Sequence, residues 1–209
     1  MECESSLSVF TGRTGSRLLN ILKSTAAALL GAGLGLYATW SALERDAGFE
    51  TVQVGPWRST PKAAFAEADP YTRAGLARNA QVPLSPGEGL MFTADIDETG
   101  APLLTRCDYI LTSPIPAARF WTLTPMTSKG ALAPTGNDRT GLTSAEIVRD
   151  STGRFEIIAS TQARPGNWLA LPTEPRFMLA LRLYDTPASS LAAATSVSQL
   201  PQLRRGRCV

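Results

Sequence analysis

The chain has 209 residues, a formal net charge of +2 and 18% charged residues, so it is long enough for one ordinary core and too nearly neutral to suggest nucleic acid as a partner. It contains no histidine, which excludes imidazole bases, histidine-ligated zinc or haem, and every triad that depends on a histidine. Neither a cofactor signature nor a metal-ligand spacing stands in their place.

Ser24 to Leu43 are free of charged side chains, and at about 1.5 Å per residue a helix of this length reaches about 30 Å, the thickness of a bilayer core. Arg13, Arg17 and Lys23 precede the run, and this excess of positive charge predicts a cytoplasmic N-terminus. Five segments follow: a cytoplasmic stretch (1–23), a transmembrane helix (24–43), a juxtamembrane connector with a short helix (44–84), a β-rich domain (85–190) and a tail (191–209). A cleavable signal segment is the competing reading. Its cut would want small residues one and three positions upstream, and Trp40 sits between Thr39 and Ser41 with no Ala-x-Ala. Tyr37 and Trp40 suit the headgroup region. Gly31 and Gly35 make a Gly-x-x-x-Gly spacing through which two helices could approach as a homodimer, although small residues are common in any membrane helix.

Beyond the apolar run, Asp69-Pro70 reads as the start of a helix, with Asp as N-cap, Pro at the first helical position and Ala74, Leu76, Ala77 and Ala80 as a modest apolar face. From Gly87 onward the pattern is of strands and turns. GLMFTADID and LLTRCDYILT read as one hairpin around ETGAP, and SAEIVRD with RFEIIAST as a second around STG. RFWTLTPM, NWLALP and RFMLALRLYD are further strands. Short strands with polar turns predict a mainly β chain, an antiparallel β-sandwich or jelly-roll-like domain behind the one helix. The Ala/Ser-rich tail has room for one helical turn or none, and its arginines Arg204, Arg205 and Arg207 read as a solvated terminus.

Cys3 falls on the predicted cytoplasmic side, whereas Cys107 and Cys208 fall outside, the minimum for a disulfide in an oxidising compartment. Such a bridge would pin the C-terminus to a strand; the alternative is a buried Cys107 and a free Cys208. Asp95, Asp97 and Gly100 imitate the opening of a calcium loop, but Arg106 occupies the closing glutamate position, and Asp-x-Asp followed by Thr-Gly is ordinary turn chemistry. Asp108, Asp138, Glu146, Asp150 and Glu156 lie in the strand region, where carboxylates serve as catalytic pairs only at defined spacing and otherwise protect strand edges.

The succession ARFWTLTPM, DSTGRFEIIAST, PGNWLALP and FMLALRLYDTP resembles the bacterial domain of unknown function numbered 1214, over roughly residues 85 to 190. The matching positions are Arg119, Phe120, Trp121, Asn167, Trp168, Leu169, Pro172, Arg182 and Tyr184. The resemblance implies a jelly-roll-like fold on the outer side of the inner membrane, in the stand-alone, membrane-anchored form, and it implies no reaction. Longer members carry a second domain, numbered 1254, that this chain lacks, which makes an envelope protein of that type a candidate partner. Arg119, Trp121, Asn167, Trp168, Arg182 and Tyr184 form the candidate binding set, suited to an anionic or sugar-like ligand; as an alternative they fasten the sheets together. The leading expectation is a periplasmic binding or interaction module, and the second an envelope enzyme acting on carbohydrate or lipid-like substrates by carboxylate and arginine chemistry.

Overall fold

The computed structural model describes residues 12–44, 51–65, 68–78, 82–85, 87–135, 139–187 and 199–208. It divides into two compact units, Met1–Ala47 and Gly48–Val209.

In the first unit, α1 (Gly12–Glu44) is a continuous helix. Its Arg17–Leu43 segment is long and apolar enough to cross a membrane. Leu29, Leu30, Leu34, Leu36, Tyr37 and Trp40 are all exposed along it. The hydroxyls of Thr25 and Thr39 donate back to helix carbonyls, to Ile21 (3.0 Å), Leu22 (2.9 Å) and Gly35 (2.9 Å). Their polar atoms are therefore satisfied without water.

The second unit is mainly β, with two sheets in a sandwich-like arrangement. The strands are β1 (Val52–Val54), β2 (Trp57–Ser59), β3 (Gly89–Ala94), β4 (Cys107–Thr112), β5 (Phe120–Thr127), β6 (Leu142–Thr143), β7 (Glu156–Ser160), β8 (Asn167–Ala170), β9 (Phe177–Tyr184) and β10 (Gln202–Cys208). The six-stranded sheet runs β1-β2-β3-β9-β5-β6 and is antiparallel throughout, while the four-stranded sheet runs β10-β4-β7-β8 with β7 and β8 parallel. One core is shared between them. Phe92, Leu123, Leu179, Leu181 and Leu183 come from the first sheet, and Tyr109, Leu111, Ile157, Leu169 and Leu203 from the second. Alternation along β4 and β9 explains the partition, since successive side chains point to opposite faces and only the apolar set turns inward. Edge-to-face packing of Tyr109 on Phe177 (5.7 Å) and stacking of Trp121 on Phe155 (5.6 Å) tie the sheets together.

Both predicted hairpins are corrected. β3 pairs with β2 and β9, whereas β4 lies in the other sheet, so the chain turns a sandwich corner at 95–102 and retains only the bridge Ile96–Pro102. In the second case only RFEIIAST becomes a strand. Residues 144–146 instead form a turn after β6, where the Glu146 carboxylate accepts from the Thr143 amide (3.0 Å) and hydroxyl (3.1 Å), and residues 147–150 form no strand.

The connector and the tail also build the sheets. β1 and β2 extend the six-stranded sheet from residues expected to be linker, and Trp57 is fully buried with its indole N–H donating to Pro201 O (2.7 Å). The end of the chain is β10, paired with β4 and closed by a Cys107–Cys208 disulfide between register partners. Helix α2 (Pro70–Arg78) starts at Asp69, whose carboxylate accepts from the Tyr71 and Thr72 amides (both 3.0 Å) and from the Thr72 hydroxyl. Those bonds, the Thr72 hydroxyl foremost, hold the Asp69 carboxyl below its ordinary pKa. None of the residues of α2 is buried, so its predicted apolar face covers no core; Ala80 lies outside the described residues.

Candidate functional site

A groove of about 680 Å³ opens at the end of the four-stranded sheet. Thr112, Glu156 and Ile158 form its floor, the segment Val148–Asp150 with Arg154 forms one wall, and Pro165, Gly166 and Asn167 form the other. Its volume is in the range of small-molecule sites.

The first wall is held by an Asp-x-Thr-Gly turn. Asp150 Oδ1 accepts from the Thr152 amide (2.8 Å), the Thr152 hydroxyl (2.6 Å) and the Arg154 amide (2.9 Å), and Gly153 adopts φ 79°. The Thr152 hydroxyl contributes most to holding the Asp150 carboxyl below its usual pKa; burial opposes it, and the two amides and the Arg154 charge assist. Asp150 is therefore an ionised turn anchor. Arg149 lies over the Phe155 ring at 4.9 Å and donates to Gly153 O (3.1 Å), which fixes its guanidinium beside the turn.

The second wall is fastened to the first by Asn167. Its Nδ2 donates to Val148 O (2.8 Å) and Glu156 O (2.9 Å), and its Oδ1 accepts from the Val148 amide (2.8 Å). One side chain thus substitutes for strand pairing along a stretch that has none.

The same turn recurs at the opposite corner of the sheet. Asp97 Oδ1 accepts from the Thr99 amide (2.9 Å), the Thr99 hydroxyl (2.6 Å) and the Ala101 amide (3.1 Å), while Oδ2 meets Arg205 Nε at 2.8 Å. The acceptors of the calcium-like motif are thus engaged by the turn and by an arginine. Burial pushes the Asp97 carboxyl up, but the Thr99 and Ala101 bonds and the Arg205 charge outweigh it, and its pKa lies below the ordinary value.

The six residues of the candidate binding set occupy three places. Trp121 is buried in the core against Phe155, and its amide N–H donates to Ser144 Oγ (3.2 Å). Arg182 and Tyr184 share the outer face of the six-stranded sheet, where Tyr184 packs against Phe120 (6.0 Å) and an Arg182 nitrogen lies 4.0 Å from Met126 Sδ. Arg119 stands at the end of that face, exposed and 3.8 Å from Asp185. Asn167 lines the groove, and Trp168 follows it on the outer face of the four-stranded sheet. Period-2 alternation separates them: Trp121 aligns with inward Leu183, whereas Arg182 aligns with outward Thr122. Of the carboxylates named from the sequence, Asp150 and Glu156 line the groove, and Asp138 lies outside the described residues. Arg149 and Arg154 carried no sequence signal beyond their nearness to the turn.

The chain is similar in fold to the VPA0106 protein from Vibrio parahaemolyticus, with 17% identity, a TM-score of 0.54, and coverage of 98% of this chain and 47% of that one. A protein from Burkholderia cenocepacia is 18% identical with a TM-score of 0.40, covering 86% of this chain and 52% of its own. The chain thus spans about half the length of these solved structures. No curated protein matches it. The strands β3 to β9 and the whole groove fall within residues 88–188, the stretch over which the chain matches the family model described as protein of unknown function (DUF1214).

Proposed function

We propose that this protein is a single-pass component of a bacterial inner membrane that presents its β domain to the periplasm as a binding module. In this reading α1 is the anchor, the N-terminus is cytoplasmic, and the groove beside Asn167 engages a ligand or another envelope protein. The observation that carries it is the Cys107–Cys208 disulfide in a unit that follows an apolar helix, because such bonds persist in oxidising compartments. The positive residues ahead of the uncharged run from Ser24, Arg17 and Lys23 among them, support the same orientation.

Protease treatment of spheroplasts and of inside-out vesicles tests the topology. The expected result is digestion of the β domain in spheroplasts and its protection in inside-out vesicles. The reverse pattern, or recovery of the protein in the soluble fraction without residues 1–43, would overturn the anchored reading.

A further inference from the structure

The outer face of the four-stranded sheet carries an ordered arrangement that the groove alone does not explain. Strand register aligns Arg204 with Ile110, Ile110 with Ile158, and Ile158 with Trp168. These four side chains form one row across all four strands, about 14 Å long at the usual strand spacing. Polar rows flank it about 7 Å away on either side. Gln202, Thr112 and Glu156 make one, and Asp108 with its ion-pair partner Arg164 (2.6 Å) begins the other. Ile158 also lies in the floor of the groove, so row and groove are continuous.

Trp168 is half-buried, and its indole N–H donates to Ser160 O (3.0 Å). The polar atom of the ring is thereby satisfied by the protein and the ring is held against the sheet. What remains for a ligand is an aromatic surface.

We propose that this face binds a saccharide chain, with Trp168 as the stacking platform and Asp108–Arg164 and Glu156 as hydrogen-bonding groups. The proposal rests on the binding-module reading above and names its ligand class. A pyranose ring has a flat C–H surface and a rim of hydroxyls that both donate and accept. The flat surface matches the indole and isoleucine row, and the rim matches paired acceptors and donors on each side. A stable protein interface would instead need about 800 Å² per partner with an apolar centre. This row offers only two isoleucines and one tryptophan, all half-buried.

The full-length chain in a detergent without a sugar headgroup supplies the test. Trp57 and Trp121 are buried, and Trp40 lies on α1, so Trp168 is the tryptophan of the β domain whose emission a ligand on this face would change. The probes are tetramers of β-1,4-linked N-acetylglucosamine, β-1,4-linked glucose and α-1,4-linked glucose. At least one is expected to shift the emission saturably and to give a matching calorimetric isotherm. Trp168→Ala should weaken that binding about tenfold or more while the variant still unfolds in a single cooperative transition, and Trp168→Phe should keep most of the binding. No saturable response to any probe at about 10 mM, or full binding by Trp168→Ala, would overturn the proposal. Neither outcome touches the protease-protection result, so the ligand class and the membrane topology fail separately.

Discussion

Arg205 Nε lies 2.8 Å from Asp97 Oδ2, and the Asp97 side chain is wholly buried, so the last strand of the chain is locked to the first sandwich corner by one ion pair. The same arginine donates to Pro102 O (3.0 Å) and lies near the Tyr109 ring (6.0 Å), while the Glu98 amide donates to Leu203 O (3.2 Å). Replacing Asp97 with Ala strands a half-buried guanidinium and three turn donors. We expect a loss of about 2 kcal/mol, below the range for fully buried pairs because Arg205 retains access to water. Urea unfolding followed by circular dichroism measures it.

The direction of the Asp97 shift sets the pH dependence. Its folded carboxyl titrates below the ordinary value, so the stabilisation is complete above an unfolded pKa of about 4 and is lost as pH falls through the folded value. Asp69 and Asp150 shift in the same direction. The unfolding midpoint should therefore fall below about pH 4, and Asp97→Asn should flatten part of that fall. An acid limb identical in the variant and the parent would show that Asp97 contributes nothing to it.

Cys107 and Cys208 are 101 positions apart, and in the chain-entropy model a loop of that size stabilises by about 4–5 kcal/mol. Under denaturing conditions thiol labelling should count one cysteine without reductant and three with it. Cys208→Ser should lower the melting temperature and free β10 first, visible as faster amide exchange at Leu203 and Arg204. Equal labelling in the two conditions would exclude the bridge.

Gly89 begins β3 against the backbone of β9. A Cβ built there would lie 1.9 Å from Leu183 O, at φ 159°. Gly89→Ala forces the two central strands apart, and we expect a cost of at least about 2 kcal/mol from overpacking. A melting temperature within one degree of the parent would contradict this.

Asn167 acts on the groove through Val148. Asn167→Ala removes three hydrogen bonds to backbone groups of Val148 and Glu156, for an expected loss of about 1–3 kcal/mol. Its specific mark is fast hydrogen exchange at the Val148 amide with little change at Ile157 or Leu111. Uniform loosening of the sheet would point to a role in the core instead.

Several features followed from local chemistry and were legible in the sequence. Twenty uncharged positions from Ser24 predict the apolar helix, Asp69-Pro70 predicts the start of α2, and alternation along RFMLALRLYD predicts β9 with Arg182 and Leu183 on opposite faces. Each depends on residues within a few positions of one another, where periodicity and capping act. The mainly β class follows from the same signals repeated.

Partner choice among strands was decided only by the tertiary structure. Nothing within GLMFTADID states that it pairs with β9 rather than with its neighbour in sequence, because both pairings bury the same alternating face. Trp57 and Leu203 come from segments that read as linker and tail, and burial against distant strands makes them core. The candidate binding set scattered for a related reason: nearness along the chain does not give the sheet or the face, whereas cross-strand register does. That register also aligns Arg204, Ile110, Ile158 and Trp168, drawn from nearly one hundred positions of chain, into a single row.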